Sequence, residues 1–173
     1  MRIQFTLGIV AATLGLLTSA GAQTPNPRDA VAESMGFSTP YGAPISLERA
    51  DAAINAAVAE GLKHHWPVNI AVVDSGGNLL AFKRMDGAQL GSIQVSQHKA
   101  HAALAFRRET KVFENAIQDG NVYAMTLDGV IGSRGGIPLV ADGKIIGAIG
   151  CSGASGAQDE VICKAGAATI NNK

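Results

Sequence analysis

Two pairs of apolar runs, each broken by a short polar turn, constrain this chain more than anything else in it. VNIAVVD (68–74) leads through Ser75-Gly76-Gly77-Asn78 into LLAFKRMD (79–86), and Gly136 to Val140 leads through Ala141-Asp142-Gly143 into Lys144 to Cys151. Runs of this kind fold into antiparallel hairpins, because Gly, Asn and Asp accept the left-handed backbone that a tight reversal needs. VNIAVVD presents apolar side chains to both faces, so its strand belongs inside a sheet that helices cover.

The segments around the hairpins carry helical periodicity. Leu47, Ala50, Ile54, Val58 and Leu62 recur every three or four residues, which predicts an amphipathic helix over 47–63. Ser46 is placed to cap it, Glu48 suits its first turn, and Pro67 closes it. Ser92 opens a second helix over 92–106, whose Ala100, Ala102, Ala103 and Ala105 permit close approach to a neighbour. A shorter helix fits Val112–Gln118, a short strand fits Val130–Ser133, and a last helix fits about 159–170. The order helix, two strands, helices, two or three strands, helix describes an α+β domain with an antiparallel sheet and helices on its faces. No βαβ spacing supports a dinucleotide fold.

At 173 residues the chain has room for one domain. Its 14 basic and 14 acidic residues cancel, which argues against a general nucleic-acid binder. Met1-Arg2, the apolar stretch from Phe5 to Leu17 and the small residues Ser19-Ala20-Gly21-Ala22 have the layout of a signal peptide over 1–22. The stretch is short for a membrane anchor, so the expected destination is the periplasm or the exterior, with no stable anchor after cleavage. Residues 23–45, rich in Pro and Ser, read as a flexible arm in which Met35, Phe37 and Tyr41 are suited to docking on a partner surface. The domain proper is then 46–173. Cys151 and Cys163 are the only cysteines, so one internal pairing exists; a disulfide and two buried thiols both suit an exported chain. Their spacing does not suit structural zinc.

His98 and His101 stand three apart on the second helix and share a face, where they are able to hold a metal or approach a haem iron. Two solvated helical histidines would look the same. His64 and His65 end the first helix, where they suit its last carbonyls. Two glycine-rich turns offer a different site: Arg134, Gly135 and Gly136 in one, Ser152 and Gly153 in the other, together suited to a small organic anion. No GxSxG, HExxH or Walker pattern is present.

The string AVVDSGGNLLAFKRMDGAQLGSI, Lys99-Ala100, GGIPLVADGKIIGAIGCSG, QDE and Ala165-Gly166 together resemble the GlcG/HbpS family of haem-binding or haem-degrading proteins, which includes the C-terminal domain of PduO-type proteins. The likeness spans roughly 46–171, and RRETKVFENA is similar to secreted members. The resemblance implies a five-stranded antiparallel sheet flanked by helices (a profilin-like sandwich), assembly into dimers or up to octamers, and haem as ligand, with degradation or haem and redox sensing in some members. It also implies a haem segment near Thr110, with Arg107 and Arg108 placed for the propionates. The leading expectation is an exported haem-binding protein using His98, His101, Lys99, Arg107, Arg108 and Thr110; the alternative is a binder or enzyme for a small organic acid at Arg134.

Overall fold

The computed structural model describes residues 36–171. The signal peptide read over 1–22, and the arm up to residue 35 with Met35, lie outside the described residues.

Helix α1 (Leu47–His64) starts as its sequence requires, with the Ser46 hydroxyl accepting from the Arg49 amide at 3.4 Å. Its end departs from expectation. His65 turns left-handed (φ 56°), and backbone groups close the helix: the Trp66 amide donates to the Gly61 carbonyl at 2.9 Å. The His64 ring instead meets Glu60 at 2.8 Å and stacks on Trp66, ring centres 4.4 Å apart.

Strands β1 (Asn69–Asp74) and β2 (Leu79–Arg84) form the first hairpin, and β3 (Gly136–Ala141) and β4 (Lys144–Ser152) the second. Between them lie α2 (Ser92–Ala105), α3 (Lys111–Gln118) and a 3₁₀ turn (Val122–Thr126); α4 (Gly156–Asn171) follows. The sheet order is β2-β1-β4-β3, with every pairing antiparallel. Side chains alternate across it. Ile70, Val72 and Ile149 enter the core shared with Ile54 and Ile162 under α1 and α4, while Val73 and Ala148 face Ala100, Ala103 and Leu104 of α2. The opposite face accepts α2 at backbone distance, since any Cβ at Gly136 or Gly150 would overlap the carbonyl oxygen of Lys99 or Ser96.

Among the described residues the sheet has four strands, not five. Residues 130–133 form no strand; Gly129 (φ 77°) and Gly135 (φ 114°) bend the backbone on either side of them. The remaining stretch beside β4 is taken by residues expected to belong to the flexible arm. Where β1 has ended, the Ile145 amide donates to the Pro40 carbonyl and the Gly42 amide to the Ile145 carbonyl, each at 2.8 Å. Tyr41 and Ile145 form a parallel bridge. Cys151 and Cys163 are joined as a disulfide, Cα atoms 5.6 Å apart, tying β4 to α4. No described helix is long and apolar enough to cross a membrane.

Candidate functional site

One face of α2 looks into solvent and the other into the sheet, and this division sorts the expected residues. At about 100° per residue, His98 and His101 share the outer face, while Lys99 between them turns inward. Both histidines are exposed and Lys99 is 1% exposed.

The two imidazoles open onto a groove of about 290 Å³. Leu104 and Ala105 continue the α2 wall, and Tyr41 and Gly129 border it. The turn Ser75-Gly76-Gly77 supplies the opposite side, and its shape comes from Asp74. One carboxylate oxygen of Asp74 accepts from the Gly76 amide (2.8 Å) and the Asn78 amide (2.9 Å). The Asn78 amide is the chief cause holding this carboxyl below its usual range; burial opposes it. Gly77 (φ 84°) keeps the wall low: a Cβ there would stand 3.9 Å from Nδ1 of His101. The Nε2 of His98 lies 3.3 Å from the Gly129 carbonyl. A carbonyl only accepts, so Nε2 carries the proton, and in the neutral ring Nδ1 keeps its lone pair for a metal.

The arginines divide. Arg107 (φ 54°) is half-buried, its guanidinium 5.9 Å from the Tyr41 ring centre beside the groove. Arg108, also half-buried, has its guanidinium 3.0 Å from the centre of the Phe37 ring and 5.4 Å from that of Phe113. Burial lowers its pKa. The Tyr41 hydroxyl donates to the Leu104 carbonyl at 2.9 Å, anchoring the lead-in segment to the end of α2. Phe37 and Tyr41, expected to suit a partner surface, make these contacts within the chain, with Tyr41 still 46% exposed.

Two other expected ligands are turned away from the groove. Thr110 is buried, its hydroxyl accepting from the Gly136 amide at 2.9 Å and its amide donating to the Gly136 carbonyl at 3.0 Å. It pins the start of α3 to β3. The Lys99 ammonium donates to the Asp159 carboxylate at 2.8 Å and the Cys151 carbonyl at 3.1 Å. Burial pushes the Asp159 carboxyl up, and Lys99 with the Ala154 and Gly153 amides pulls it back.

The organic-anion alternative finds its groups already engaged. Nε of Arg134 donates to Glu114 at 2.7 Å, and Nη1 reaches Glu160 at 3.4 Å. Burial raises Glu160, but Lys164 and Lys111 outweigh it and leave this carboxyl below its usual range. Gly135 is packed against Cys151, Asp159 and Lys99, and Gly153 against Pro67 and Val68, while Ser152 is buried. Close approach within the protein accounts for these glycines. Among the described residues no three His, Cys, Asp or Glu side chains gather around a common metal position.

Comparison with known proteins then decides the lineage. The model of the haem-degrading, HbpS-like protein family matches residues 45–168. The chain belongs to the HbpS-like family. Among its HbpS-like relatives, protein GlcG of Escherichia coli K12 is 44% identical over 108 residues, covering 62% of this chain and 81% of the relative. Among solved structures, a double mutant of HbpS from Streptomyces reticuli shares 32% identity with TM-score 0.68, covering 84% of this chain and 99% of the other. PduOC, solved as a haem complex, shares 30% with TM-score 0.67 and coverage of 74% and 96%.

Spacing pointed to the two imidazoles of this HbpS-like chain, but not to Tyr41 or to the Ser75-Gly77 wall. The signal for the wall was the pattern Asp-Ser-Gly-Gly-Asn, an Asx turn that projects a small-residue surface.

Proposed function

We propose that this protein is exported and binds haem in the groove between α2 and the β1–β2 turn. The observation that carries the reading is the pair of exposed imidazoles on one helical face, opposite a wall reduced to Gly76 and Gly77. A macrocycle needs a mostly apolar approach and an iron ligand, for which imidazole is a usual choice, and the groove offers both. The relative solved with haem, PduOC, supports the ligand class.

The protein's own contribution is placement. Gly129 fixes the His98 ring by accepting the hydrogen bond from its Nε2, leaving Nδ1 as the donor atom. Leu104 and Ala105 supply apolar wall, and Arg107 stands at the Tyr41 side where a propionate would be neutralised. Haem, when bound, supplies redox-active iron.

Hemin titration of the protein recovered from the periplasm tests both halves. The expected results are a mass beginning at Gln23, a shifted Soret band, and at least about tenfold weaker binding in His98→Ala/His101→Ala, or ~1.4 kcal/mol. Equal hemin affinity in the double variant would remove the ligand assignment, an unshifted Soret band the function, and an uncleaved chain the export.

A further inference from the structure

We propose that Lys99 is a positioning residue for the groove's imidazoles, and that it holds them in place only while the Cys151–Cys163 disulfide is intact. Haem affinity then depends on thiol oxidation. This rests on the haem reading of the groove.

Lys99 directly follows His98 and lies with Ala100 between the two histidines, and its side chain reaches from the inner face of α2 into the rest of the fold. Its ammonium bonds two acceptors on different elements: the Cys151 carbonyl near the end of β4 (3.1 Å) and the Asp159 carboxylate on α4 (2.8 Å). The disulfide joins those same two elements. One sulfur belongs to Cys151 itself; the other belongs to Cys163, one helical turn beyond Asp159. The cross-link therefore sets the separation of the acceptors that Lys99 must span.

There is little slack around this arrangement. The Cys151 amide donates to the Gly135 carbonyl at 2.9 Å. A Cβ on Gly135 would come within 2.9 Å of the Cys151 oxygen, 3.0 Å of the Asp159 Cβ and 3.2 Å of the Lys99 ammonium. Both cysteines, Lys99 and Asp159 are buried. With the cross-link opened, β4 and α4 are held to each other by the loop at 153–155, by packing, and by the hydrogen bonds that Asp159 receives from Lys99 and the Ala154 amide. The two acceptors are then free to part, and a small rotation of α2 re-aims both imidazoles at once.

The chemistry is ordinary thiol–disulfide exchange with a dithiol reductant. The protein S–S bond breaks and two cysteine S–H bonds form. The dithiol gives up two protons and two electrons and leaves as its own disulfide. Because both sulfurs are enclosed, exchange waits on local opening of α4.

The experiment compares four full-length proteins: wild type, Cys151→Ala/Cys163→Ala, Lys99→Met/Asp159→Asn, and the combination. The paired Lys99 variant avoids stranding a buried carboxylate, and Asn keeps the acceptor that the Ala154 amide uses at 3.0 Å. Two readouts are taken, hemin affinity from the Soret band and amide hydrogen exchange across Gln97–Ala105. Removing the cysteines should weaken hemin about tenfold, within the range of outer-shell substitutions at metal sites, and speed exchange in α2. In the Lys99→Met/Asp159→Asn background their removal should change neither. Unchanged exchange and affinity without the disulfide overturns the proposal, and so does an effect of equal size with and without Lys99. If wild type takes no hemin, the haem reading falls, while the exchange comparison still decides whether the disulfide acts on α2 through Lys99.

Discussion

Replacing Lys99 by methionine is expected to destabilise the fold by about 3–5 kcal/mol, the cost of stranding one member of a buried ion pair. The side chains of Lys99 and Asp159 are 1% and 3% exposed, so water does not substitute for the missing ammonium. Burial already pushes the Asp159 carboxyl up, and Lys99 is the first of the groups that oppose it. Without Lys99 the folded-state pKa rises further above the unfolded one. A carboxyl raised in this way gives stability that is fully present below the unfolded pKa and lost as pH rises through the folded pKa. The variant's deficit against wild type should therefore be larger at neutral pH than in mild acid. Urea midpoints at both pH values check this; a neutral-pH midpoint equal to wild type would deny the pair its structural role.

Gly150→Ala is the other substitution with a large expected cost, about 3 kcal/mol, at the upper end of ordinary overpacking. No backbone strain is involved, because Gly150 is not among the glycines with positive φ. The cost is space: the new methyl would overlap the Ser96 carbonyl oxygen and stand 2.5 Å from the Ala100 amide nitrogen, both atoms of the α2 backbone. Relief requires lifting α2 from β4, so the groove should suffer with the fold. Calorimetry on the variant, with Gly143→Ala as control, separates these causes. Gly143 adopts φ 70°, and a methyl added there would meet nothing within 4 Å, so its cost is conformational alone.

The hairpins and helices were legible because each has a strong local cause. VNIAVVD reads as an interior strand from its apolar faces, and Leu47 to Leu62 as a helix from their period. The difference in strand number has a longer-range cause. Val130 and Ile131 look like a strand start, yet the chain bends at Gly129 and Gly135, and the place beside Ile145 goes to Pro40 and Gly42. No local pattern announces that a proline-bearing lead-in will find that position. At the groove, the spacing of His98 and His101 was enough to place them on one face. Lys99 looked like their companion because it lies between them in sequence. Helical geometry turns it through about 100° into the sheet, where the glycines at 135, 136 and 150 make room for α2.

The ordered lead-in sets how far the protein tolerates trimming. A version beginning at Ser46 keeps all of α1, but it forfeits the backbone bonds from Pro40, Gly42 and Ile45 to Ile145 and Ile146. It also deletes the Tyr41 ring from one flank of the groove. The smallest fragment worth engineering thus starts no later than residue 40, ahead of residue 45, where the match to the family begins.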